Sequence, residues 1–221
     1  MKFSQMPYKR PDAEALKRSI DSAAARGSAA KSVAEADAIF LEVEALNADA
    51  ETAFTIAHIR HDIDTNDPFY DGEMAFADEA MPALEEYIQT WKLALLRTPF
   101  RKEFSEKYNE LMFVNAEMAL TTFSPEIIPD LQREHALVTE YSKLLASAQI
   151  PFEGKVYTLS QLTPVKQDPD DARRLAAWKA EDQWFTSQAE RLDALYDELT
   201  HLRDGMGRKL GYDGYTQLGY Y

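Results

Sequence analysis

Along this chain residues with capping side chains repeatedly stand directly before a proline, among them Asp67 and Pro68, Thr98 and Pro99, Ser124 and Pro125, and Asp168 and Pro169. A side-chain oxygen at that place accepts from the orphan amides of a first helical turn, and proline at the first helical position gives up no hydrogen bond. Each pair therefore predicts a helix start. Ser32 and Glu35 have the spacing of a capping box and predict a fifth. A chain punctuated in this way is an array of helices.

Apolar seams in steps of three or four follow the starts. From Ser32 the seam is Val33, Ala36, Phe40, Val43, Leu46, Ala50, Phe54 and Ala57. It predicts one helix to Asp64, on the order of 50 Å long at 1.5 Å per residue. A seam through Phe76, Ala80, Leu84, Ile88, Trp91 and Leu95 predicts another, with a kink or break at Pro82. Phe104, Tyr108, Leu111 and Met118 follow Pro99, and Leu131, Val138, Tyr141 and Leu145 follow Pro125. A first helix is expected from Asp12 to Ala25, closed by Gly27, with the Ala-rich stretch Ser22–Lys31 as a connector. The region from Asp170 to Leu210 reads as helical, as two helices meeting near Thr186, with Gly211 as its cap glycine. Ile150 to Leu159 alternates around Glu153 and Gly154 and predicts a hairpin, with a short helical turn over Ser160 to Val165. The expected fold is all-α: long antiparallel helices in a bundle-like array with one small β-hairpin near 150–158.

The 221 residues carry 38 acidic and 24 basic side chains, a net charge of −14, and no cysteine. The charge repels nucleic acid and anionic membranes, which are excluded as partners. The missing thiol removes disulfides, thiolate metal sites and cysteine nucleophiles. The start, MKFSQMPYKRPD, has no apolar stretch behind it, and runs such as Leu93–Leu96 are too short to span a bilayer, so the cytoplasm is the expected location.

Chemistry is sparse. A zincin needs H-E-x-x-H, and the four histidines, His58, His61, His135 and His201, do not form it. His58 and His61 share a helix face, but a metal site needs further convergent ligands. His61, Asp64, Thr65 and Asp67 fall where one long helix ends and the next begins, and read as a structural corner pinned by hydrogen bonds. Glu198 and His201 match the E-x-x-H element of di-iron bundles, but its second copy is absent. No two of the many carboxylates stand out as a glycosidase pair. Nucleophile elbow, phosphate loop and dinucleotide fingerprint are all missing. Trp178 and Trp184 are expected as buried anchors. No catalytic or metal residue is assigned to this chain.

The end of the chain, Tyr-Asp-Gly-Tyr-Thr-Gln-Leu-Gly-Tyr-Tyr after Gly211, is aromatic where termini are usually polar. It reads as cut, with self-association through the exposed aromatics as one consequence.

Several segments together resemble bacterial oligoendopeptidase F and related M3 peptidases. These are His58-Ile-Arg-His-Asp-Ile-Asp-Thr-Asn-Asp-Pro-Phe-Tyr70, Leu120-Thr-Thr-Phe-Ser-Pro-Glu126, Phe152-Glu-Gly-Lys-Val-Tyr-Thr-Leu-Ser-Gln-Leu162 and Arg208-Lys-Leu-Gly-Tyr-Asp-Gly-Tyr-Thr-Gln-Leu-Gly-Tyr-Tyr221. They occur in order along nearly the whole chain. The resemblance implies a helical fold around a deep channel and a cytoplasmic zinc peptidase acting on short peptides. The family's zinc ligands and general base lie in its later half and have no match here. Residues 1–221 would then be the N-terminal lid or wall of the channel, cut ahead of the catalytic half, with zinc in the parent enzyme and none bound here. A stand-alone helical interaction module is the alternative, and a helical carboxylate metal protein would need ligands the sequence does not show.

Overall fold

The structure, a computed structural model, describes residues 2–220. Among them the fold is all-α with one two-stranded hairpin. In chain order the helices are α1 (Ala13–Ala29), α2 (Val33–Ile63), α3 (Pro68–Leu96), α4 (Arg101–Tyr108), α5 (Leu111–Thr121) and α6 (Ile128–Ala146). The hairpin strands β1 (Ile150–Phe152) and β2 (Lys155–Tyr157) come next, then α7 (Leu159–Leu162), α8 (Asp171–Lys209) and α9 (Tyr215–Leu218).

Two of the expected starts hold in full. Asp67 Oδ1 accepts from the amides of Phe69 at 2.8 Å and Tyr70 at 3.4 Å. Ser32 Oγ accepts from Glu35 N at 3.2 Å, while the Glu35 carboxylate turns back to Lys31 N at 2.9 Å. Ser124 caps a 3-10 turn, Pro125–Ile127, that runs into α6. The other two are displaced. Asp168 accepts from Asp170 N at 2.9 Å and so shapes the approach; the cap of α8 is Asp170, which bonds Ala172 N and Arg173 N. Thr98 bonds Phe100 N at 3.4 Å, and α4 starts only at Arg101 without a side-chain cap. In both, the proline sits outside the helix, in the turn that leads to it.

Several boundaries move for identifiable reasons. Gly27 does not close α1, which runs through the Ala-rich stretch to Ala29; Ala23 and Ala24 are buried there. A Cβ on Gly27 would stand 3.1 Å from the Trp91 ring, so the glycine admits α3's tryptophan. Helix α3 continues through Pro82, with no break. The segment after Pro99 is two helices, parted at Asn109, whose φ of 90° ends α4 and whose Oδ1 accepts from Leu111 N at 3.0 Å. Helix α8 is single, with no junction at Thr186. Its end is a Schellman motif: Gly211, at φ 86°, donates to Arg208 O and Tyr212 donates to Gly207 O, both at 3.0 Å. In the hairpin, Glu153 and Gly154 take φ of 48° and 74°, as a two-residue turn requires.

Helix α3 is the hub, packed by α1, α2, α5 and α6. One core joins Ile20, Ala23 and Ala24 of α1 to Ile39 and Val43 of α2 and Trp91 and Ala94 of α3. A second gathers Ala36, Leu95, Phe104 and Phe113. The third lies apart, where Ile150, Phe152, Leu162 and Val165 close on Ala177 and Trp184 of α8. Between hub and third core stands α6, and ion pairs line its contact with α8: Asp130 with Lys209, Arg133 with Glu198, Glu134 with Arg203, Glu140 with Arg191. Early residues of α6 meet late residues of α8, so the two run antiparallel.

Candidate functional site

The residues expected as a structural corner lie at the junction of α2 and α3. The Asp64 amide donates to Arg60 O at 3.3 Å and its Oδ1 accepts from Asn66 N at 3.0 Å, which turns the chain so that Asp67 can cap α3. Thr65 is half-buried within the turn. His61 is only 1% exposed, with Nδ1 3.7 Å from Asp62 Oδ1 and Nε2 3.6 Å from Asp71 Oδ1. Those separations are too long for hydrogen bonds, and Nε2 has no hydrogen-bond partner among the described residues. His58 is exposed and faces Asp62 at 3.3 Å. Among the described residues no three histidine, aspartate or glutamate side chains converge as metal ligands. Glu198 pairs with Arg133, and His201 is exposed beside Asp197, so the E-x-x-H pair is dispersed.

Two features that sequence reasoning did not single out flank the corner. The first is a clasp formed by the N-terminal segment. Glu73, 4% exposed on α3, accepts from Arg10 Nη2 at 2.6 Å and Nε at 2.9 Å, and the Tyr8 hydroxyl donates to it as well. Arg10 holds the Glu73 carboxyl below the usual carboxylate range, and burial with the same contact raises the Tyr8 phenol. Arg60 of α2 donates to Met6 O and to the Tyr70 hydroxyl, each at 2.6 Å. No local pattern marks residues 63 positions apart as partners.

The second is a cleft between the α2–α3 pair and α6. Its apolar part, about 430 Å³, is walled by Phe54, Met74, Met81 and Val138, with His58 and His135 at its edge. A more polar part, about 480 Å³, continues past Asp71, Gln132 and Lys143. Asp78 and Thr139 line both parts. Thr139 Oγ1 donates to Asp78 Oδ2 at 2.8 Å. Burial nonetheless lifts the Asp78 carboxyl above the ordinary carboxylate range, against that hydrogen bond and the imidazoles of His135, His58 and His61. Val138 is exposed to this cleft, 41%, while its neighbour Leu137 is buried; of the seam predicted for α6, Leu131 and Leu145 are half-buried. Tyr141, Leu111 and Met118, also expected inside, are exposed.

Trp184 packs on the hairpin core, but Trp178 is 53% exposed, with Lys166 Nζ 4.4 Å from its ring centroid. The aromatic end folds back in part. The Tyr212 hydroxyl donates to Thr121 O at 2.9 Å, and Tyr215 lies under Arg203. Tyr220 is 88% exposed, and Tyr221 is outside the described residues. No helix among the described residues is long and apolar enough to cross a membrane.

The same fold recurs in solved peptidases. A PZ peptidase A determined with an inhibitor is 39% identical over 99% of this chain, with a TM-score of 0.95. A structure described as an oligoendopeptidase F is 40% identical over 100% of the chain at 0.96, and one from Bacillus anthracis is 37% identical over 100% at 0.95. The chain covers 39%, 39% and 40% of those three, about two-fifths of their length. Among curated proteins nothing matches. Residues 3–123 match the family model of the peptidase M3 N-terminal domain. That match takes in the N-terminal clasp, the hub helix and the corner, and the chain therefore belongs to the peptidase M3 family as a bearer of its N-terminal domain.

Proposed function

We propose that residues 1–221 are the N-terminal helical part of a zinc-dependent oligoendopeptidase that hydrolyses short peptides in the cytoplasm, and that they form the lid or wall of its substrate channel. The observation that carries this reading is the extent of the likeness: 99–100% of this chain matches 39–40% of peptidase chains at TM-scores of 0.95–0.96. Zinc and the residues that activate water belong, on this reading, to sequence beyond Tyr221. Short peptides and that catalytic half are then the partners. On this reading His61, Asp64, Thr65 and Asp67 have a structural part at the α2–α3 corner, Asp64 and Asp67 through hydrogen bonds and His61 through burial. The solvent-facing Tyr220 makes self-association of the separate chain part of the same proposal.

Two measurements test it. Translation of the gene past Tyr221 is expected to reveal an in-frame H-E-x-x-H; an immediate stop codon would favour the stand-alone interaction module. The purified 221-residue chain is expected to leave a quenched-fluorophore peptide uncut. Chelator-sensitive cleavage by that chain would overturn the assignment of catalysis to the later half.

A further inference from the structure

The cleft between α3 and α6 has an unbalanced charge at its centre. Among its carboxylates, Asp71 is paired with Lys143, Glu134 with Arg203 and Glu140 with Arg191, while Glu79, on the wall of the polar part, has no ion pair among the described residues but is exposed to solvent. Asp78 is half-buried and has no lysine or arginine partner among the described residues. Its Oδ2 is held by Thr139, and its Oδ1 accepts no hydrogen bond from the described residues. That carboxylate oxygen stands beside an apolar wall of Phe54, Met74, Met81 and Val138. A partly desolvated carboxylate without a cation is unfavourable unless a cation arrives.

We propose that this cleft binds a primary ammonium carried on an apolar body, with Asp78 receiving the ammonium and the Phe54–Met81–Val138 wall receiving the body. An ammonium supplies both the donor and the positive charge that the open carboxylate oxygen of Asp78 lacks. A bare metal ion does not suit it, because among the described residues no three histidine, aspartate or glutamate side chains converge as ligands. The volume of the apolar part, about 430 Å³, falls within the rough 300–1,000 Å³ of small-ligand clefts. A free alkylamine and the amino end of an apolar peptide share this chemistry. The inference is independent of peptidase activity, since a chain that cleaves nothing would still bind the amine.

The test uses the full chain with methyl-labelled methionine, so that Met74 and Met81 report from the cleft wall. Hexylamine is titrated against 1-hexanol, and leucyl-leucinamide against its N-acetyl form. Hexylamine is expected to shift both methyls at a concentration at least tenfold below that of hexanol. Asp78→Asn, which can still accept from Thr139, should abolish that preference. Val138→Arg, at the exposed rim, should weaken amine binding while leaving Asp78 in place. Binding of the dipeptide amide that is lost on acetylation assigns the site to peptide amino ends, and binding of hexylamine alone assigns it to small amines. Equal titration by hexanol and hexylamine, or a preference that survives Asp78→Asn, would overturn the proposal.

Discussion

Glu73 and Asp78 are five residues apart on α3 and have opposite electrostatics. The Glu73 carboxyl is depressed by Arg10, so the stability it contributes is complete above its unfolded pKa and fades as pH falls through the folded one. Residues 3–12 are therefore expected to lose amide protection, measured against the intrinsic exchange rate at each pH, on acidification below about pH 4, the ordinary glutamate range, before the hub does. Glu73→Gln should leave that segment little protected at neutral pH, with protection largely insensitive to acid. Asp78 is raised by burial, so its contribution is complete below the unfolded pKa and is lost as pH rises through the folded one. Asp78→Asn should accordingly raise the unfolding midpoint at neutral pH, and the gain should shrink on acidification. His58 and His61 of α2, Asp71 and Glu79 of α3, and His135 and Lys143 of α6 surround the same space and remain in the variant, which isolates the aspartate.

At the scale of the helix, capping chemistry and seams were legible because both are local. Asp67, Ser32 and the Glu153–Gly154 turn act through atoms within a few residues, and they stand where the sequence predicts them. Gly27 misleads because its role lies on another helix: an α1 glycine is needed by an α3 tryptophan. Leu111 and Val138 mislead because a seam identifies apolar residues without saying which helix will cover them. The clasp on Glu73 and the Asp78 cleft join segments far apart in sequence, so no spacing rule could have located them. The distinction is measurable. Phe113→Ala, at 0% exposure, should cost about 3–5 kcal/mol, whereas Leu111→Ala, 58% exposed, should stay within about 0.5 kcal/mol; paired denaturant titrations would compare them. Helix α9 offers a sharper case. A Cβ on Gly207 would lie 2.2 Å from the Gly214 carbonyl oxygen, and backbone cannot yield as a side chain does. Gly207→Ala should lift the last turn off α8, seen as new proteolytic cleavage between residues 211 and 218 with the hub intact.

For the whole molecule, the decisive feature is that the hairpin and α8 reach α3 chiefly through α6. The hub has its own cores among α1 to α5, and the hairpin–α8 body has another. A single helix with ion pairs along one side and a cleft along the other is a narrow bridge between them. Such bodies open as separate cooperative units. The consequence is one of timing. Each body has a core of its own, and the docking of the two across α6 is a separate step in assembly. Pulse-labelled refolding should show amides of α3 and of α8 becoming protected at different times, with α6 amides following the later of the two.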